Sequence, residues 1–113
     1  MRIEVRGRNT QVTDGIRTHV EDRFERVAKQ VSDLAQLDVE LLVEKNPAIA
    51  DDKVAEATLY LKGTTLRARE ASADLEHSID LCADKMSRQV KRHREKRRGR
   101  RDGITERPAE AAS

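Results

Sequence analysis

The stretch from Asp74 to Arg101 constrains this chain most, because one helical pattern there carries two opposed surfaces. Leu75, Ile79, Cys82, Ala83, Met86 and Val90 recur at helical spacing and form a single apolar stripe. Lys85, Arg88, Arg92 and Lys96 lie away from that stripe, with Lys91, Arg94 and Arg98 on its flank. From 85 to 101 there are ten Lys or Arg, Arg97 among them, and one acid, Glu95, so the segment carries +9. The whole chain carries +2, which leaves −7 for the rest. A helix dipole is satisfied by about two or three cations at its C-terminal end. Ten at this density repel one another, and a polyanion is the economical counterpart.

At 113 residues the chain has room for one domain and a tail. The periodic pattern places the domain at 1–98. From Gly99 onward, Asp102-Gly103, Arg107-Pro108 and the closing Ala-Glu-Ala-Ala-Ser read as a tail or the start of a linker. Charged residues make up 39% of the chain against 36% hydrophobic, but the apolar ones are grouped by period, which indicates a fold rather than disorder. No apolar run approaches the roughly 18 residues of a membrane span, and Met-Arg-Ile-Glu-Val lacks a signal-peptide core. A cytoplasmic protein with no membrane partner is expected. The single Cys82 lies on the apolar stripe, where a buried, inert thiol is expected.

Residues 2–8 alternate, with Ile3 and Val5 on one side, and predict a half-buried strand in which Gly7 is a candidate bulge. Thr13 is an N-cap for a helix running to about Ser32, with Ile16, Val20, Phe24, Val27 and Val31 on one face. Its other faces mix Arg17, Arg23, Arg26 and Lys29 with Glu21, Asp22 and Glu25. Residues 36–45 alternate through Leu37, Val39, Leu41 and Val43, and 53–62 through Ala55, Ala57, Leu59 and Leu61, which predicts two further strands. Gly63-Thr64 suits a two-residue type II′ turn into a fourth strand, 65–71. Ser72 is then the expected cap of the last helix, which would reach about Arg98 and measure about 39 Å at ~1.5 Å per residue.

The order β-α-β-β-β-α predicts an α+β fold. A right-handed crossover makes the first two strands parallel, and the rest of the four-stranded mixed sheet is a meander. Two helices with one apolar stripe each would cover one face and leave the other in water.

Signals for catalysis are missing. His19, His77 and His93 have no metal-ligand spacing, one cysteine builds no zinc site, and neither GxxxxGK[ST] nor GxGxxG occurs. Asp80 and Asp84, four residues apart, read as ordinary helix electrostatics beside Lys85. No enzyme activity, cofactor, metal or small-molecule substrate is expected. The aromatics are Phe24, on a core stripe, and Tyr60, so base-stacking platforms are not expected and recognition would rest on phosphates and shape, as for structured RNA. Two other readings fit the pattern: a general binder of double-stranded RNA, and an interaction module using the long last helix.

Several segments resemble the ribosome hibernation promoting factors and ribosome-associated inhibitor of bacteria. These are Gly7-Arg8-Asn9, Val12-Thr13, Ile16 and His19-Val20, then Val54-Ala55-Glu56-Ala57-Thr58 and Leu66-Arg67-Ala68, then Ile79-Asp80-Leu81 and Asp84-Lys85-Met86-Ser87-Arg88-Gln89-Val90-Lys91. The resemblance covers residues 1 to about 98. It implies a non-enzymatic stress or stationary-phase factor that binds rRNA of the small ribosomal subunit in the decoding region and blocks mRNA and tRNA. It also implies that Arg23, Arg26 and Lys29 on the first helix, with Lys85, Arg88, Lys91, Arg92, Arg94, Lys96, Arg97 and Arg98 on the last, contact that rRNA. Longer members carry a second domain that pairs ribosomes, so ribosome dimers are implied partners if this chain is part of such a protein.

Overall fold

Alternating side chains build the sheet, and the two apolar helical stripes cover one side of it. The computed structural model describes residues 1–102, with side chains described through Lys96. In chain order the elements are β1 (Arg2–Arg8), α1 (Asp14–Arg23), α2 (Glu25–Ala28), β2 (Gln36–Val43), β3 (Lys53–Leu61), β4 (Thr64–Ser72) and α3 (Leu75–Asp102). The sheet order is β1-β2-β3-β4, with β1 parallel to β2 and the other pairs antiparallel. This is the α+β architecture with a four-stranded mixed sheet that the periodicities predict.

Register decides which side chains meet. Val5, Val39, Ala57 and Ala68 form one row across the four strands, and Ile3, Leu37, Leu59 and Leu66 form another on the same face. Against these rows lie Val20, Phe24 and Val27 from α1 and its junction with α2, and Ile79, Cys82, Met86 and Val90 from α3. The intervening row of Glu4, Asp38, Thr58 and Arg67 faces the other way, where the side chains are exposed or half-buried. Each large apolar side chain in the core contributes about 1.5–3 kcal/mol by leaving water. Where α3 lies against β3 and β4, the facing residues are small: Ala55, Ala57 and Ala68 below, Cys82 and Ala83 above. The helix can therefore approach closely, and the Cys82 thiol donates to the Ala68 carbonyl at 3.5 Å.

Burial pushes the Cys82 thiol up to about 12. At pH 8 that leaves about a thousandfold less thiolate than an unburied cysteine has. Native protein is therefore expected to be almost silent towards a disulfide thiol reagent, and to release one equivalent only in denaturant. Rapid labelling of the native protein would contradict this packing.

Four local expectations are corrected. The first helix does not run unbroken to Ser32: Phe24 adopts φ −90°, ψ 4°, ending α1 and opening the four-residue α2. The break costs little hydrogen bonding, since Phe24 N–H still donates to Val20 O at 2.9 Å and Ala28 N–H to Phe24 O at 3.0 Å. Beyond α2 the bonds tighten to i−3, as from Gln30 N–H to Val27 O, and the chain turns towards β2. Gly7 is not a bulge, because β1 pairs with β2 in continuous register from Arg2 to Arg8. A Cβ on Gly7 would lie 2.5 Å from Thr10 O, because Asn9 at φ 61° folds the chain back over the strand.

The hairpin loop is Lys62-Gly63, closed by the Leu61–Thr64 pair, so positive φ (+80°) falls on the second loop residue as in a type II turn. Ser72 belongs to β4 rather than capping α3 directly. Its hydroxyl accepts from Asp74 N–H at 3.2 Å, and Asp74 O accepts the first helical bond, from Ser78 N–H at 3.0 Å. The buried Ser78 hydroxyl donates to Lys53 O at 2.6 Å and ties this start to the sheet. At its far end α3 continues past Gly99 to Asp102, about 42 Å in all. The rest of the expected tail, 103–113, lies outside the described residues.

Candidate nucleic-acid interface

Helix α3 places its cations by the same periodicity that buries its stripe. With Met86 and Val90 sealed against the sheet, Arg88, Lys91, Arg92, Arg94 and Lys96 are exposed, while Lys85 is half-buried beside β4. On the neighbouring segment Arg23, Arg26 and Lys29 are all exposed. The side chains of Arg97 and Arg98 lie outside the described residues.

The cations expected at the interface differ in what they already hold. Arg23 Nε is 2.9 Å from Asp80 Oδ1, Lys85 Nζ is 3.5 Å from Glu70 Oε2, and Lys29 Nζ is 3.6 Å from Glu25 Oε2. Arg94 Nη1 donates to Gln30 Oε1 at 2.8 Å, which links α3 to the segment after α2. Among the described residues, Arg26, Arg88, Lys91, Arg92 and Lys96 make no ion pair. Of the candidate cations, those without an ion pair therefore lie on α3 from Arg88 outwards, apart from Arg26 on α2.

Among the described residues, two grooves flank that helix. One, about 460 Å³, runs between α1–α2 and α3 and is lined by Arg23, Arg26 and Lys29 together with Asp22, Glu25, Asp80 and Asp84. Four carboxylates face three cations there, so this groove does not attract a polyanion as strongly as a count of its basic residues suggests. The other, about 230 Å³, lies between the edge strand β4 and α3 and is lined by Thr64, Leu66, Gln89, Arg92, His93 and Lys96. It has no carboxylate, and Gln89 Nε2 closes its inner side by donating to Arg67 O at 2.5 Å. Gln89, Thr64 and His93 do not stand out in the sequence, since each is a common surface residue until the fold sets it beside Arg92.

Among the described residues no group of three or more His, Cys, Asp or Glu can hold a metal ion, and no helix is long and apolar enough to cross a membrane.

Residues 3–98 match the family described as sigma 54 modulation protein / S30EA ribosomal protein. The chain belongs to this family. Within the S30EA family it is 38% identical over 111 residues to a ribosome hibernation promotion factor of Picosynechococcus sp., covering 97% of this chain and 58% of that protein. It is 33% identical over 111 residues to a ribosome hibernation promoting factor of Azotobacter vinelandii, covering 98% of this chain and 97% of that one. The chain thus spans little more than half of the first of these relatives and nearly all of the second. Among solved structures, the N-terminal domain of Thermus thermophilus Protein Y superposes with a TM-score of 0.70 at 33% identity, over 82% of this chain and 99% of that one. A ribosomal subunit interface protein from Coxiella burnetii shares the fold, with a TM-score of 0.70 at 21% identity.

Proposed function

We propose that this chain is a non-enzymatic ribosome hibernation factor that lowers translation by occupying the decoding region of the small subunit, where mRNA and tRNA would lie. The observation that carries this reading is the concentration of unpaired cations on the outer half of α3, in a chain of the S30EA family. The names of its relatives, hibernation factors and a subunit interface protein, support the ribosome as partner. The charge pattern supports rRNA as the surface engaged. Arg88, Lys91, Arg92 and Lys96 supply the main phosphate contacts, and Arg26, Arg23 and Lys29 contribute from α1–α2. The shortage of aromatics supports contact through phosphate and shape rather than base stacking.

Binding of this kind is driven by counterion release. If about six phosphates are neutralised, log affinity falls against log salt with a slope of roughly −4 to −5. The test is sedimentation of the protein with small subunits and intact ribosomes across a salt series, repeated with excess tRNA and mRNA. Saturable binding to the small subunit that tRNA suppresses is expected. Equal affinity for any RNA duplex would indicate a general double-stranded RNA binder, and no salt-dependent RNA binding would indicate a protein-interaction module.

A further inference from the structure

The groove between α1–α2 and α3 contains a carboxylate whose presence runs against simple electrostatics. Asp80, on α3, meets two side chains of α1 at the same oxygen: it accepts a hydrogen bond from His19 Nε2 at 2.7 Å and forms an ion pair with Arg23, whose Nε lies 2.9 Å away. His19 and Arg23 are one turn apart on α1, so a single acid on α3 sets the register of the facing helix across 61 residues of sequence. Asp84, one turn further along α3, lines the same groove, is exposed, and makes no ion pair among the described residues.

We propose that Asp80 is a positioning residue: its ion pair with Arg23, closest at Nε, restrains the guanidinium and so presents the two Nη groups as a preformed fork for an RNA phosphate. An exposed arginine samples many rotamers, and fixing it on binding costs affinity. Bound at Nε, Arg23 still has its four Nη–H donors, and among the described residues no second ion pair engages them. A planar guanidinium held this way can make the two parallel bonds to phosphate that a mobile one makes less often. His19, at 20% side-chain exposure against 55% for Arg23, fills the inner side of the same carboxylate and keeps it aimed.

This inference rests on the RNA-binding reading above, and its test separates the two. Affinity for purified small ribosomal subunits is measured for the wild type and for Asp80→Ala, Asp84→Ala, Arg23→Ala and Arg23→Lys, with thermal melting of each. Charge counting predicts that both Asp variants bind more tightly and that Arg23→Lys is neutral. Positioning predicts that Asp80→Ala and Arg23→Lys each bind about five- to tenfold more weakly, while Asp84→Ala binds as well as wild type or better. It also predicts that Asp80→Ala has no further weakening effect in the Arg23→Ala background, which a purely structural role for Asp80 would not produce. Tighter binding by Asp80→Ala, equal weakening with and without Arg23, or unchanged binding by Arg23→Lys would overturn the proposal. If Asp80→Ala does not fold, Arg23→Lys decides alone. Failure of the wild type itself to bind small subunits would instead sink the functional reading.

Discussion

Reversing Arg88, Lys91 and Arg92 to glutamate is expected to abolish binding to small ribosomal subunits while leaving the melting temperature nearly unchanged. All three are exposed on α3 and engaged in no ion pair among the described residues, so the fold loses nothing it was using. The interface would lose three charged contacts at about 1.5 kcal/mol each, roughly a thousandfold, before the added repulsion of three carboxylates. Neutral replacements at the same positions should weaken binding less and reduce the salt slope by about 2 to 3. Lys85 is a poorer choice for this test, because Glu70 lies 3.5 Å from its ammonium and reversal would bring two carboxylates together. Near-normal affinity of the triple variant would move the RNA-binding surface off α3.

Replacing Phe24 with alanine should have the largest effect on stability of any single truncation in this core. Its ring is fully buried and is the largest side chain in the cluster, at the joint where α1 gives way to α2. Phe→Ala at such a site removes about 3–5 kcal/mol through lost burial and an unfilled cavity. Small domains have about 5–15 kcal/mol in total, so a third or more of the stability could disappear. Urea unfolding should show a much lower midpoint, and Phe24→Leu, which fills most of the space, should recover over half of the loss. A change under about 1 kcal/mol for the alanine variant would mean that the α1–α2 joint is not held by this ring.

Most of the fold could be read from period alone, because a strand that hides one face and a helix that hides one stripe leave different spacings. Val5, Leu37, Val39, Ala57 and Leu59 appeared on the buried face for that reason, as did Ile79, Met86 and Val90. The break at Phe24 was hidden because it preserves both the apolar spacing and the i−4 hydrogen bonds on either side. Gly7 was misread because a glycine signals only that a Cβ is unwelcome. Whether a bulge or a returning loop excludes it depends on where Thr10 lies. At the interface, exposure and sign of charge were legible but pairing was not. Nothing local distinguishes Asp80 from Asp84, although one holds His19, 61 residues away, together with Arg23, and the other is exposed without such a pair. The acids on each helix were visible, but the groove between the helices was not, since its four carboxylates come from two separate segments that only the fold brings together.

Among the described side chains the last buried position on α3 is Val90, yet the helix continues to Asp102, about 18 Å beyond it. This arrangement has a kinetic consequence. The exposed cations that follow the buried turn, Lys91, Arg92, Arg94 and Lys96, enlarge the target that a diffusing polyanion can meet, and first contact does not require the remaining surface to be aligned. In the proposed binding to rRNA, capture at these cations followed by rotation onto the sheet-backed half of α3 would turn a demanding orientational search into two easier ones. Encounter should therefore be fast and steeply slowed by salt, while residence time is governed by the residues seated against the fold.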